Sequence, residues 1–172
     1  NTEHRVEAHV AWSRSGLFVA LNLPFAEMNP GNPMNFWEGT NIELFLATDP
    51  ESGRGWNPSS HHFFFVPHLV DGEWRVAGGE WKRSEAIAKT IYDDDRLATR
   101  IVSRENGYTI MLFIPEKALN LDEFSSSMEL SAALSVKIVK GVFNDSYEYS
   151  WPRAKANGIL DGVEAWGTLE LV

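Results

Sequence analysis

Apolar and polar side chains alternate along much of this chain, which is the pattern of β-strands that bury one face. The longest example covers residues 128–139, where every second side chain is apolar and polar ones such as Glu129 and Lys137 lie between them. Residues 5–12 and 16–23 repeat the pattern on either side of a short turn, which indicates a hairpin. Roughly ten such segments predict an all-β fold, an antiparallel β-sandwich of two packed sheets.

Two dipeptides mark further hairpins. Asp71-Gly72 and Asn106-Gly107 each lie between two apolar runs. Such pairs are typical of tight turns between antiparallel strands, because both residues tolerate the backbone conformation that these turns require. We therefore expect one strand to end and the next to begin at each of these positions.

The remaining segments add little helix. Residues 84–92 fit either a helix or a strand, residues 116–121 form at most a short helical turn, and residues 152–165 read as a long loop. At most one or two short helical turns are expected in all. Because no linker or internal repeat interrupts the pattern, we expect a single domain over residues 1–172.

Composition and charge narrow the possible functions. The chain has 172 residues, 44% hydrophobic content, a net charge of −9 and no cysteine. The negative charge argues against nucleic acid and anionic membrane surfaces as partners, and the lack of cysteine excludes disulfides and thiolate chemistry. No nucleophile elbow, zinc-protease motif, phosphate loop or dinucleotide fingerprint is present, so we predict that the protein is not an enzyme.

The membrane and export signals are also limited. No apolar run approaches the roughly 20 residues needed to cross a bilayer. The sequence starts at Asn1 rather than at Met, so any signal segment or preceding domain would lie outside it. Further domains of a larger chain are therefore among the expected partners.

One acidic residue stands out in an apolar strand. Glu43 lies between Ile42 and Leu44, and an unpaired carboxylate buried there would be too costly, so it must reach solvent at a cleft or be hydrogen-bonded. Trp37 precedes the same strand, after a loop rich in Pro, Gly and Asn. Trp37 is either a ligand platform or a rim residue capping the sandwich. Glu43 is either a ligand contact or a partner of a neighbouring Arg or backbone amide.

Four motifs, taken in chain order, resemble the family 9 carbohydrate-binding modules within the DOMON-like superfamily. They are GLFVALNL, FWEGTNIELF, NGYTIMLFIP and WGTLEL. The resemblance implies a sandwich that binds sugar, typically the end of a glycan, between aromatic side chains, with polar groups on the hydroxyls and calcium steadying the loops. Trp37 falls on the position of a stacking Trp and Glu43 on that of a hydroxyl-binding acid.

The resemblance also implies a setting and further site residues. The family serves exported, glycoside hydrolase-associated polysaccharide degradation, so we expect a secreted protein, extracellular or periplasmic. Phe63 and Phe65 occupy the places of polar side chains in the family's next strand and would give the site an apolar floor. His61 and His62 point to opposite faces of that strand, and we assign His61 to the sugar site. Core packing of the Phe residues and a solvated histidine remain the alternatives.

Cofactor predictions rest on scattered side chains. Asp49, Asp93 and Asp95 supply oxygen ligands of the kind that calcium prefers, with a solvated turn as the alternative. Haem b is bound by other members of the superfamily through Met and His or Lys. Haem is not expected here, although Met28, Met34 and Met111 are available, because Met in strands and loops more often packs. Two alternatives to sugar binding remain: a haem b-binding electron-transfer domain of the DOMON type, and a structural or interaction sandwich with a decayed sugar site.

Overall fold

The computed structural model describes residues 5–49, 55–83, 85, 89–142, 144–152 and 165–172. Within these residues the chain forms eleven strands and two short 3-10 turns. The strands are β1 (Glu7–Ser13), β2 (Gly16–Leu23), β3 (Asn41–Ala47), β4 (Ser60–Val70), β5 (Glu73–Lys82), β6 (Lys89–Ile91), β7 (Ala98–Arg104), β8 (Gly107–Pro115), β9 (Glu129–Lys140), β10 (Asp145–Trp151) and β11 (Gly167–Glu170). The 3-10 turns are Pro33–Asn35 and Glu116–Leu119.

These strands form two antiparallel sheets. Over the described part of the chain, the smaller sheet has the order β1-β2-β8-β7, and the larger has the order β10-β9-β3-β4-β5-β6. Strand β11 also pairs with β9, through Gly167–Glu170 opposite residues 129–132, so β10 and β11 follow one another along that strand. The predicted all-β sandwich is therefore confirmed.

The main core lies between the two sheets. The alternation in β2 buries Leu17, Val19 and Leu21, and the alternation in β3 buries Ile42 and Leu44 against them. Burying a side chain of this size is worth about 1.5–3 kcal/mol relative to leaving it exposed. Because side chains alternate between the two faces with a period of two residues, this packing decides which side chains are left for the other face of each strand.

The first turn dipeptide forms the hairpin that the sequence predicts. Asp71 and Gly72 connect β4 to β5 with φ of 52° and 81°, and two positive φ values in succession are what a tight hairpin turn of this kind requires. Gly107, from the second dipeptide, begins β8 directly after the turn that follows β7.

The ambiguous segments are only partly described. The strand alternative holds for β6 within residues 84–92, whereas residues 84 and 86–88 lie outside the described residues. Of the predicted loop 152–165, residues 153–164 lie outside them as well. Among the described residues, no helix has the length and apolar character to cross a bilayer.

The larger sheet has an outer face that points away from the smaller sheet. Glu43 and Phe45 of β3 lie there, opposite Phe64 and His62 of β4, because their neighbours along each strand face the core. Gly79 of β5 pairs with Phe64, and a Cβ at Gly79 would overlap the Phe64 ring. The absence of a side chain at Gly79 therefore lets the Phe64 ring extend over β5.

Candidate functional site

Aromatic rings cover the outer face of the larger sheet. Phe36 stacks on Phe64 with ring centroids 4.2 Å apart and an interplanar angle of 8°, and Phe45 stacks on His62 at 4.3 Å. Trp166 lies 5.7 Å from Phe45 on the same side. We call this surface the aromatic face; it comprises Phe36, Trp37, Phe45, Trp56, His62, Phe64, Trp81 and Trp166.

A capped turn positions the most exposed ring of this surface. The side chain of Asn32 accepts a hydrogen bond from the backbone N–H of Met34 at 3.1 Å and so starts the 3-10 turn Pro33–Asn35. The next residue, Phe36, is buried on the sheet, and Trp37 follows with 52% of its surface exposed. The Trp37 ring meets the Phe36 ring edge-on at 5.1 Å. The Phe36 ring therefore supports the Trp37 ring on one side, and the Trp37 ring remains open to solvent.

Trp37 also borders a polar cleft of about 480 Å³. Asn29, Asn32 and Asn144 line the cleft, and the Asn29 amide donates to the side-chain oxygen of Asn144 at 3.0 Å. Lys137 of β9 lies at the same cleft and donates to the backbone oxygen of Trp37 at 3.3 Å. An apolar ring next to amide groups is the combination that suits a ligand with both C–H and hydroxyl surfaces.

Glu43 is bonded to a buried histidine. Its Oε2 lies 2.7 Å from Nε2 of His62, which is fully buried, whereas 19% of the Glu43 side chain is exposed. On the other side of the ring, Nε of Arg83 donates to Nδ1 of His62 at 3.2 Å. An arginine nitrogen can only donate, so Nδ1 accepts and the ring proton sits on Nε2, which donates to Glu43. The imidazole therefore links a carboxylate to a guanidinium.

Burial keeps this imidazole neutral. Desolvation lowers the pKa of His62 below its usual value and outweighs the hydrogen bond to Glu43, which acts in the opposite direction. The same cause lowers the pKa of Arg83, against the attraction of Glu43. A neutral ring agrees with the hydrogen-bond directions, because a protonated His62 would lose its acceptor for Arg83.

The guanidinium of Arg83 lies against two indole rings. Its Cζ is 3.9 Å from the ring centroid of Trp81 and 5.0 Å from that of Trp56. Cations over indole faces are stabilised electrostatically, more strongly where water is excluded. Arg83 is only partly exposed, so these contacts fix the position of a positive charge on the aromatic face.

The structure places Trp37 and Glu43 on one surface but places the other three predicted sugar-binding residues elsewhere. Phe63 and Phe65 are fully buried between the sheets, and His61 is 4% exposed on the same side of β4. All three side chains point to the face of β4 opposite to that of His62. Their assignment to the sugar site is therefore corrected: the core-packing alternative holds for both Phe residues, and His62 is the histidine that reaches Glu43.

His61 belongs to a hydrogen-bonded network of acidic and basic side chains. Its Nδ1 lies 2.9 Å from Glu80 of β5, and Arg96 donates to the second oxygen of Glu80 at 2.9 Å. Arg96 also bonds to Asp94. Burial acts to raise the pKa of Glu80, but the hydrogen bonds from His61 and Arg96 outweigh it and the pKa is lowered. Glu80 and Asp94 are buried, whereas 33% of the Arg96 side chain is exposed, and His61 points away from the aromatic face.

The predicted metal ligands do not form a cluster in the described part of the chain. Asp49, Asp93 and Asp95 are exposed there, and no group of three or more His, Cys, Asp or Glu side chains among the described residues could hold a metal ion. Calcium stays a prediction. Of the methionines considered for haem, Met28 packs in the core and Met34 is 61% exposed.

Sequence reasoning missed several residues of this surface. Trp56 lies in an irregular segment and Trp81 near the end of β5, so no single strand pattern joins them to Glu43. Arg83 follows β5 and reaches the surface across β4. Only the pairing of β3 with β4, in which Phe45 is opposite His62, could have identified His62 rather than His61.

Comparison with solved structures shows the same fold. A family 9 carbohydrate-binding module from Caldicellulosiruptor kristjanssonii in complex with glucose matches with a TM-score of 0.70 and 12% identity over 100% of this chain and 78% of its own. Its complex with cellotriose matches with a TM-score of 0.68 and 12% identity over 99% of this chain and 76% of its own.

A third structure belongs to a provisionally assigned carbohydrate-binding protein from Bacteroides uniformis. It matches with a TM-score of 0.68 and 11% identity over 98% of this chain and 79% of its own. No protein-family model and no curated protein sequence matches the chain. The resemblance to family 9 carbohydrate-binding modules is thus confirmed in the fold.

Proposed function

We propose that this chain is a non-catalytic carbohydrate-binding domain that holds sugar on the aromatic face, at Trp37 and Glu43. The observation that carries the proposal is a half-exposed indole on the same sheet face as a partly exposed carboxylate, in a fold shared with sugar-binding modules. The flat C–H surface of a pyranose packs on an indole, and a carboxylate accepts charge-assisted hydrogen bonds from hydroxyl groups.

The proposal assigns a separate role to each group. Trp37 provides the stacking surface, and its contact with buried Phe36 keeps the ring in place before ligand arrives. Glu43 accepts from hydroxyls through its exposed side, while the bond from His62 fixes the orientation of the carboxylate. Preorganised groups of this kind bind with a smaller loss of conformational entropy.

The biological setting is a further part of the proposal. By resemblance to its structural neighbours, the domain would serve an exported polysaccharide-degrading protein, in the periplasm or outside the cell. Structural calcium would belong to the same picture. A shift of the thermal unfolding midpoint on adding calcium, reversed by a chelator, would test the metal.

Calorimetric titration tests sugar binding directly. Glucose, cellobiose and cellotriose, with a wider panel of neutral oligosaccharides, are titrated into the wild-type chain and into Trp37→Ala. We expect the substitution to weaken binding by about tenfold or more, because it removes the stacking surface. Circular dichroism establishes that the variant is folded.

Trp151→Ala is the matched control. Trp151 is 48% exposed, close to the exposure of Trp37, but it pairs with Leu134 and lines a cavity between the sheets. Its replacement should leave sugar affinity unchanged. Absence of heat with every sugar, or an equal loss in both variants, would contradict the proposal.

A further inference from the structure

Arg83 carries a positive charge on this surface, and binding of a neutral sugar does not give that charge a role. Among the described residues, its side-chain hydrogen bonding engages only Nε, which donates to His62. No ion pair between described residues includes Arg83. Both terminal Nη groups are therefore left without a protein acceptor in that part of the chain.

Contacts with neighbouring side chains hold the guanidinium of Arg83 in place. Its Cζ lies 3.9 Å from the ring centroid of Trp81 and 5.0 Å from that of Trp56, so two indole rings pack against the guanidinium. The bond to His62 fixes one edge. A guanidinium fixed in this way presents its remaining N–H groups as a planar fork, which matches the two oxygens of a carboxylate.

The charge of Arg83 is also incompletely balanced. Its nearest balancing carboxylate, Glu43, lies on the far side of the imidazole, so the two charges do not touch. Burial lowers the pKa of Arg83, which shows that desolvation outweighs this attraction. A carboxylate on the ligand would contact the guanidinium directly and would replace the interaction with water that burial removes.

Resting on the proposed function, we propose that the sugar bound at this surface is acidic, a uronate whose carboxylate pairs with the Nη groups of Arg83. Its hydroxyl groups then lie towards Glu43 and its ring lies on the indole of Trp37. Glu43 repels the ligand carboxylate and so directs that end of the sugar to Arg83. Glu43 and Arg83, which are connected through His62, thus contact opposite ends of one sugar ring.

The test compares matched acidic and neutral sugars at pH 7, where a carboxylic acid is ionised. Glucuronate and glucose, and galacturonate and galactose, are titrated into the full chain by calorimetry. We expect each uronate to bind about tenfold more tightly than its neutral counterpart, the effect of one charge-assisted contact at a partly exposed site. Because the chain carries a net charge of −9, general attraction of anions would not produce this preference.

Two variants connect the preference to Arg83. Arg83→Gln should reduce the ratio of acidic to neutral affinity to about one, and Arg83→Lys should keep only part of it, because a point charge lacks the fork. Arg75→Gln is the control, since it removes one positive charge at a side chain that is 63% exposed and paired with Glu73. In that variant the ratio should stay as in the wild type.

Each outcome decides the question. Uronates that bind no more tightly than neutral sugars, or a preference that survives in folded Arg83→Gln, would overturn the inference while the proposed sugar binding stands. Acetate binding as tightly as glucuronate would overturn it too, since the site would then be a general anion site. Absence of binding by every sugar, acidic or neutral, would defeat both proposals. Should Arg83→Gln fail to fold, the wild-type ratios and Arg83→Lys decide.

Discussion

At the scale of single residues, the central feature is a neutral imidazole between two charged groups. Buried His62 donates to Glu43 and accepts from Arg83, so it positions both without carrying charge itself. A buried polar group with both partners in place stabilises the fold, whereas the same group with one partner lost is costly. The orientation of both charged groups on the surface therefore depends on the protonation of His62.

This dependence predicts a loss of stability in mild acid. Burial places the pKa of His62 in the folded chain below the 6.5 expected when unfolded. Between these two values the unfolded chain binds more protons, so the stability is complete above about pH 6.5 and falls as the pH drops towards the folded pKa. The loss amounts to about 1.4 kcal/mol for each unit by which the two pKa values differ.

Urea unfolding at pH 7.5 and pH 5 measures this effect. We expect His62→Gln, whose amide can donate to Glu43 and accept from Arg83 but does not titrate, to lose less free energy of unfolding between the two pH values than the wild type. Equal losses in both proteins would show that other groups, such as Glu80, carry the pH dependence instead.

At the scale of strands, the aromatic face depends on how closely β4 and β5 approach. Phe64 stacks under Phe36, and the same ring extends over Gly79 of the neighbouring strand. Phe36 in turn supports Trp37. The position of the exposed indole therefore rests on a strand position that has no side chain.

Gly79→Ala should therefore destabilise the fold and disturb the surface. The added methyl group would overlap the Phe64 ring and the backbone oxygen of Ile91, and such overpacking typically costs about 1–3 kcal/mol. Gly72→Ala is the comparison. Nothing lies within 4 Å of its added Cβ, so only its φ of 81° opposes the change, at a cost of about 1 kcal/mol.

Urea unfolding of both variants separates the two causes. Only Gly79→Ala should also alter the fluorescence of the folded chain, because it shifts the rings beneath Trp37. Equal losses of stability in the two variants, with unchanged fluorescence in both, would contradict the packing explanation.

Strand patterns predicted the layers of this fold better than its surface. The alternation in β3 separates Glu43 from Ile42 and Leu44, and it predicted correctly that this carboxylate avoids the core unpaired. The same reasoning could not choose between His61 and His62, because that choice depends on the register of β4 against β3. A shift of one residue exchanges every side chain between the two faces.

Contacts across strands were harder still to predict. Arg83 and Trp81 reach His62 because β5 folds back beside β4. The Asp71-Gly72 turn predicted this hairpin, but the alternation within single strands did not connect these side chains to His62. Trp56 reaches the same ring from an irregular segment. The predicted site therefore lacked Arg83, Trp81 and Trp56, and of its five side chains only Trp37 and Glu43 lie on this surface.

At the scale of the whole molecule, the two faces of the larger sheet differ in their packing. Its inner face packs on the smaller sheet and forms the apolar core, with the ion pair of buried Glu80 and partly exposed Arg96 beside it. On its outer face, Phe45 with Trp166 and Phe36 with Phe64 form two smaller buried clusters, beside which Trp37 is exposed. A sandwich of this kind can change its ligand surface without changing its core.

The most direct test of this account locates the sugar-binding site from chemical-shift changes in nuclear magnetic resonance spectra. The chain is titrated with a glycan that calorimetry has shown to bind. The account predicts that shifts concentrate on the indole N–H of Trp37 and on the amides around Glu43 and His62. The indole of Trp151, at the cavity between the sheets, should stay unchanged. Shifts confined to Trp151 and β1, with Trp37 and Glu43 unaffected, would contradict the assignment of the aromatic face as the sugar-binding surface.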